Sequence, residues 1–449
     1  MVLATVGANM TPETSSARSK FAPAEGMQPT NARSWVLVFA VTLAIITYVD
    51  RVCISKSAEF IMRDLNLTKI QMGYAFTAFG WAYALFEIPG GWLGDKIGPR
   101  KVLMRVVVMW SLFTILTGWA WGLASLLVFR FMFGAGEAGC FPNLTKAFTI
   151  WFPQRERVRA QSIMWLSARW GGAFTPLLVG WLLTFMEWRF TFLTFGLLGV
   201  VWAAIFYRWF RDDPRQHPSV NAAELSIIGD SSKNVDSHAS VPWGKLTGSP
   251  TVWLLWAQYF AMSYGWYFYV TWMPTYLKES FGHLSDFERN MLNTIPLFFG
   301  GLGSIFCGLL SSSFASRAFS IAKTRRTMGF LGLAGAAAML LLATQLKNPF
   351  FAVLAVGMAS FCNDLAMPGA WGACMDVGGK HTGSLSGSMN MMGNAGGALA
   401  PMVVPYVLAA TNNNWNANFW MFAAVYLLGA LCWLFIDPVT PLEKEEQPA

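Results

Sequence analysis

Gly91-Trp92-Leu93-Gly94-Asp95-Lys96-Ile97-Gly98-Pro99-Arg100-Lys101 is the stretch on which the reading of this chain turns. It is a short charged turn between two apolar runs, roughly 73–93 and 103–120, each close to the ~20 residues that cross a hydrocarbon core. Gly91 permits close helix packing and Gly98 permits a tight turn. Asp95 can cap a neighbouring helix N-terminus and pair with an arginine. Lys96, Arg100 and Lys101 suit a headgroup layer.

Outward from that turn the pattern repeats. Helices are expected at roughly 34–56, 73–93, 103–120, 123–150, 160–185, 190–210, 251–276, 290–314, 327–345, 349–374, 383–410 and 416–436. Of 449 residues, 55% are hydrophobic and 12% charged, against about 25% charged in a soluble domain. The chain is therefore read as spanning a lipid bilayer. The one long polar interruption, 211–249, separates six helices over 34–210 from six over 250–436. Residues 1–33 lack the apolar core of a cleaved signal and read as a disordered cytoplasmic tail; 437–449 form a second tail.

Charge sets the orientation. With the N-terminus in the cytoplasm, the tails and even-numbered loops hold 21 of the 32 Lys/Arg residues and the outer loops hold 7. That asymmetry puts both termini and the linker on the cytoplasmic side. Bases lying between apolar runs also explain the net charge of +8 without nucleic acid. The six cysteines show no CxxC spacing and the four histidines stand singly, so no metal site, disulfide framework or cofactor is expected. No nucleophile–base set or phosphate-binding loop suggests an enzyme.

The halves echo each other. Gly171-Gly172-Ala173-Phe174-Thr175-Pro176 matches Gly396-Gly397-Ala398-Leu399-Ala400-Pro401 at an offset of 225 residues, and Pro142 matches Pro368 at 226. Repeated halves are how many transporters are built, with the site at the repeat interface near the midplane.

Ionisable residues inside membrane helices cost about 2.5–3.5 kcal/mol on insertion scales, which marks them as functional candidates. Asp50, Arg51, Glu87, Arg130, Glu137 and Arg169 all fall in the first half. Arg130 and Glu137 share one helix face two turns apart. An arginine can grip a carboxylate through two parallel hydrogen bonds, and carboxyls in such a pocket can exchange protons as access changes. The plainer alternative is a set of structural ion pairs. Glu87 reads as a gate partner or lipid-edge acid, with a third pocket acid as the other option. Arg169 either adds positive charge to a cavity or faces a neighbouring helix. Asp364, the one deep acid of the second half, is either a site residue or a structural partner. In the aromatic run Tyr264–Pro274, Tyr267 and Thr271 are the candidates for the cavity.

The turn at 91–101 resembles the G-x-x-x-D-[RK]-x-G-x-[RK] loop of the major facilitator superfamily. The corresponding second-half stretch, Ser312-Ser313-Phe314-Ala315-Ser316-Arg317, has serines where the pattern puts Gly and Asp, and receives no role. Tyr48-Val49-Asp50-Arg51, Tyr83 before Ile88-Pro89-Gly90-Gly91, and Arg130-x6-Glu137 followed by Phe141-Pro142 resemble the anion:cation symporter family, over about 34–436. That family includes bacterial proton-coupled galactonate, glucarate and hexuronate carriers.

The resemblance implies an all-α membrane protein of twelve transmembrane helices in two six-helix bundles. It implies that Asp50 and Glu137 carry protons, that Arg51 binds the substrate carboxylate, and that Arg130 tunes the acids. Tyr48, Tyr83, Trp371 and Asn390 match pocket residues; Asp95, Lys96 and Arg100 match the gate. Arg169 stands where galactonate carriers have a glutamine, which favours a dicarboxylate or a differently shaped anion. The expected protein is a monomer of the bacterial inner membrane that imports a sugar acid (hexonate, hexarate or hexuronate) with protons by alternating access. Carriage of another anion, such as phosphate, an aromatic acid or another dicarboxylate, is the alternative. A membrane sensor without flux is the alternative from another class.

Overall fold

A computed structural model describes residues 28–229, 241, 243–317 and 320–443. Most of the expected tail 1–33, the centre of the linker 211–249 and the end of the tail 437–449 lie outside the described residues. So do the side chains of 312–319, which include the second-half turn.

Twelve long helices are described. The first six are α1 (Ala32–Asp64), α2 (Lys69–Ile97), α3 (Pro99–Gly118), α4 (Leu123–Trp151), α5 (Gln154–Leu182) and α6 (Trp188–Trp209). The second six are α7 (Pro250–Thr271), α8 (Asp286–Arg317), α9 (Ile321–Ala343), α10 (Pro349–Gly378), α11 (Thr382–Ala410) and α12 (Trp415–Phe435). Several outrun their apolar stretch. α1, expected to end near residue 56, continues to Asp64. Its 33 residues are about 50 Å long, more than a hydrocarbon core of ~30 Å. Lys56, Glu59 and Arg63 lie on the overhang, since hydropathy marks the lipid-facing length and not where hydrogen bonding stops.

Length and hydropathy together pick out eight spans, with α10 and α11 joined as one. α2, α5 and α7 fall short, and all three line the central cavity described below. Polar and aromatic lining residues dilute their hydropathy.

α4 is broken after Glu137. Gly139 sits at φ +83°, a left-handed conformation that glycine adopts without strain. A Cβ on Gly90 of α2 would lie 2.8 Å from the Ala138 carbonyl, so two glycines let the break nest against α2. Pro142 is not the cause. It lies in the first turn of the second piece, Cys140–Trp151, where its missing N–H costs no helical bond. Pro368, its counterpart, lies within an unbroken α10.

The duplication is visible in the packing. α1 packs on α5 and α6, α2 on α4, and α3 on α4 and α6. In the second half α7 packs on α11 and α12, α8 on α10, and α9 on α10 and α12. Each pairing recurs six helices later. The halves meet along α2–α11 and α5–α8, again a corresponding pair. The matched Gly-Gly motifs serve the same purpose twice. Gly172 of α5 sits against the Tyr48 ring of α1, and Gly397 of α11 against the Tyr267 ring of α7.

Candidate functional site

A cavity of about 210 Å³ lies between the halves. α1 contributes Tyr48, Arg51 and Val52; α2 contributes Phe79 and Tyr83; α4 and α5 contribute Phe141, Trp165 and Arg169. From the second half come Tyr259, Met262, Ser263, Trp266, Tyr267 and Val270 of α7, Asn363 and Met367 of α10, and Asn390 and Asn394 of α11.

Arg51 is its electrostatic centre. The guanidinium is ion-paired through Nε to Glu137, at the α4 break. It lies 4.3 Å from the centroid of the Tyr83 ring and 5.6 Å from that of Tyr48, between aromatic faces that favour a planar cation. Its Nη2 is buried without a protein partner, as are Oδ1 of Asn363 and Nε1 of Trp266. Native interiors satisfy such atoms. With Nε1 of Trp165 they make four polar atoms without protein partners, all on lining residues, and they describe a place for a polar ligand.

Arg169 faces both the cavity and a neighbouring helix. It lines the pocket, stacks 4.1 Å from the Trp266 ring, and makes a bidentate pair with Asp364 of α10 at 2.8 and 3.1 Å. Asp364 also accepts from Asn363 Nδ2 at 2.9 Å. Asp364 is thus the structural partner of a pocket arginine, and the pair ties the halves together at pocket depth.

Asp50 and Arg130 lie behind the lining. Asp50 Oδ2 accepts from Trp110 Nε1 of α3 at 3.0 Å, and its Oδ1 has no partner. Arg130 sits over the rings of Phe133 and Phe79, at 4.6 and 5.1 Å, with Nε unpaired. Trp371 is fully buried and donates to the Tyr259 hydroxyl at 3.2 Å, so it supports the wall from behind. Thr271 is exposed and bonds back to the Tyr267 carbonyl one turn earlier. Of the two α7 candidates only Tyr267 lines the cavity.

Glu87 is not a lipid-edge acid. It is fully buried on the α2–α11 seam, where its Oε1 accepts from Asn390 Nδ2 at 2.7 Å. The same amide lies 3.3 Å from the Tyr83 hydroxyl.

Below the pocket, at the end that carries the chain termini, the halves are closed. Asp95 caps α11: Oδ1 accepts from the N–H of Gly383 at 2.9 Å and Oδ2 from that of Ser384 at 2.6 Å. These N–H groups have no helical acceptor and carry the positive end of the helix dipole. The charged partner is Lys146 at 3.3 Å and not an arginine. The Arg100 side chain instead bonds the Tyr207 carbonyl, its backbone N–H bonds the Asp212 carboxylate, and Lys96 lies over Trp92, so neither reaches the second half. A Cβ on Gly91 would collide with the Gly383 carbonyl, which makes the close approach depend on glycine.

The second seam was not foreseen. Asp376 at the end of α10 takes Gln154 at 2.7 Å and Arg157 from α5, and Arg325 of α9 at 2.5 Å. Arg325 and Arg326 stand 225 residues after Arg100 and Lys101, an offset present in the sequence that could have flagged them. Lys146 donates to the Lys380 carbonyl. Glu443 then straps this end, bonded to Lys380 at 2.7 Å and Lys245 at 3.0 Å. Those two ammonium groups hold its carboxyl down at about 2.

Comparison with known proteins places this geometry. The family model for the Major Facilitator Superfamily matches residues 40–401. A probable sulfoacetate transporter of Cupriavidus necator is 34% identical over 94% of this chain and 98% of its own length. A probable galactarate/D-glucarate transporter of Escherichia coli is 30% identical over 89% of this chain and 93% of its own. A D-galactonate transporter of Escherichia coli is 29% identical over 92% and 97%. Among solved structures, the proton:xylose symporter XylE superposes with a TM-score of 0.71 at 14% identity, covering 90% of this chain and 96% of that one. That last likeness concerns the fold alone.

Proposed function

This chain belongs to the major facilitator superfamily and is an integral membrane transporter of organic anions, and we propose that it imports a sugar acid together with protons. The observation that carries this reading is Arg51: a pocket guanidinium with one nitrogen unpartnered and another held by Glu137. An arriving carboxylate competes with Glu137 for the guanidinium. A proton on Glu137 weakens its hold and frees Arg51 for two parallel hydrogen bonds to the substrate. Anion and proton binding thus favour each other through one side chain. Asp50, behind it, supplies a second carboxyl on the same half. Asn363, Asn390, Asn394 and the lining tyrosines offer donors and acceptors, which the hydroxyl groups of a polyhydroxy acid use.

With both termini in the cytoplasm of a bacterial inner membrane, the closed end faces inward and the described state is sealed from the cell interior. The halves then rock about the pocket. The Asp95 cap and the Asp376 network part, the cavity opens to the cytoplasm, and anion and protons leave. Two protons per monovalent anion would make uptake electrogenic.

A second reading, sulfoacetate, is favoured by the small cavity and by Arg169 as a second cation for a dianion, and by the name of the Cupriavidus necator relative. Uptake of D-glucarate, D-galactonate and sulfoacetate by the purified protein in proteoliposomes, under an imposed inward proton gradient, tests both. Expected is accumulation of a sugar acid that a protonophore abolishes. Accumulation of sulfoacetate alone would replace the substrate. Uptake of any of the three that ignores the proton gradient would overturn the coupling.

A further inference from the structure

We propose that Glu87 is a third proton-carrying carboxyl, one whose access alternates with the α2–α11 seam, so that the protein moves one more proton per cycle than Asp50 and Glu137 provide. The proposal rests on the proton-coupled reading above and goes beyond it.

The geometry is specific. Glu87 has no solvent exposure. Its Oε1 accepts from Asn390 Nδ2 at 2.7 Å, while Oε2 is buried and has no partner. A carboxylate left with one bare oxygen in a dry interior is costly, and a proton on that oxygen removes the cost. Among the described residues no cation is bonded to it. The groups around it are few and can be named. Arg51 faces it from α1, but that guanidinium is engaged by Glu137 and the Tyr83 ring. Glu137 and the Cys140 thiol lie on α4. Tyr83 stands one turn away on α2 itself with its hydroxyl near the carboxyl, the α4 break brings the Gly139 N–H, and α11 brings the neutral amide of Asn390. Asp95, two turns on, is taken up by Lys146 and the α11 N–H groups.

Position gives the carboxyl its second property. Tyr83 and Asn390 line the cavity and Glu87 does not, so it lies just beneath the floor. Toward the termini, α2 and α11 are pressed together at Gly91, Gly383 and Gly387, and a Cβ on Gly387 would come 2.8 Å from the Glu87 carbonyl. In this state the way from the pocket to Glu87 leads past Asn390 and Tyr83, which line the cavity. When the seam parts, the same movement withdraws the Asn390 donor and wets the carboxyl from the other side. The proton bound on Oε2 leaves as hydronium to that water, and the carboxylate remains until the seam closes again. Asn390 completes the link: a substrate hydroxyl that takes its amide competes with Glu87 for the same N–H donors. Glu87 is thus a positioning partner of a pocket residue as well as a proton carrier.

The test is proton-to-anion stoichiometry from reversal potentials in proteoliposomes, with the wild type and Glu87→Gln compared on D-glucarate, D-galactonate and sulfoacetate. The expected result is one fewer proton per anion in Glu87→Gln. An unchanged count overturns the proposal. A wild type with no coupled protons would instead overturn the proton-coupled reading, so the two failures are distinguishable. Should Glu87→Gln not insert, Glu87→Asp serves: it keeps the carboxyl but draws it back from Asn390. Its count should equal the wild type's while the pH midpoint of uptake moves. An unmoved midpoint sinks the proposal equally.

Discussion

The two halves share one scaffold and carry different chemistry. Tyr48 of α1 and Tyr267 of α7 occupy corresponding places, each seated on the Gly-Gly step of a corresponding helix, and each lines the cavity. Beside Tyr48 the chain places Asp50 and Arg51; beside Tyr267 it places Trp266 and Phe268. The first half thus surrounds the pocket with Arg51, Glu137, Glu87 and Arg169, whereas the second offers aromatic rings and amides. Arg325, Asp376 and Lys380 of the second half, with Glu443 of the tail that follows it, form ion pairs at the closed end. A duplicated fold with divided duties lets one bundle hold charge and protons while the other recognises shape. Asp364 breaks the division, and it does so to hold a first-half arginine.

That exception gives the largest expected effect. Arg169→Leu or Asp364→Leu alone leaves a buried charge unpaired and should cost about 3–5 kcal/mol of stability, whereas the double replacement should recover most of it. Thermal unfolding in detergent reads both. A double loss equal to the sum of the two single losses would show that the pair is no structural tie. Next, Arg51→Ala should weaken anion binding by roughly 3 kcal/mol, about a hundredfold, while Val270→Ala, at a lining position of the second half, should change it little. Isothermal titration with the transported anion separates them, and comparable losses would erase the division of duties. Smaller still, Tyr48→Phe and Tyr267→Phe each remove one hydroxyl, worth about 1 kcal/mol. The account expects the Tyr48 variant to shift the pH profile of uptake more than the Tyr267 variant, because the Arg51 guanidinium lies over the Tyr48 ring.

The smallest effect concerns the strap. The carboxyl of Glu443 is depressed from 4.5 to about 2. Its stabilising contribution is therefore complete above about pH 4.5 and fades as pH falls toward 2. His381, which also touches Glu443, is lowered below 6.5 by burial and is neutral above that pH. The loss of melting temperature in Glu443→Gln should hence be the same at pH 6.5 and pH 8. A loss that varies between them would mean that the second half's charges titrate in the working range.

The fold was legible because its signals are local and repeated: apolar runs, a charged turn, two Gly-Gly-Pro echoes. The buried acids and arginines of the first half were legible because charge inside a membrane helix is conspicuous. What a sequence hides is direction. Nothing local told whether Arg169 faced the cavity or another helix, and it does both. Lys146 lies inside the expected helix 123–150, where nothing local marks a partner, yet it pairs with Asp95 of α2 and bonds a carbonyl beyond α10. Asp376 gains meaning only when α5 and α9 converge on it. Tyr259 reaches the pocket through helix packing, for which a lone tyrosine carries no mark, whereas Asn363 stands 226 residues after Glu137, at the offset of the repeat.

The central claim is that Glu137 and Arg51 couple anion to proton. Uphill anion uptake into proteoliposomes under an imposed proton gradient, measured side by side with gradient-free exchange, tests it in Glu137→Gln. The account predicts that exchange persists and that proton-driven accumulation is lost. Accumulation equal to that of the wild type would contradict it.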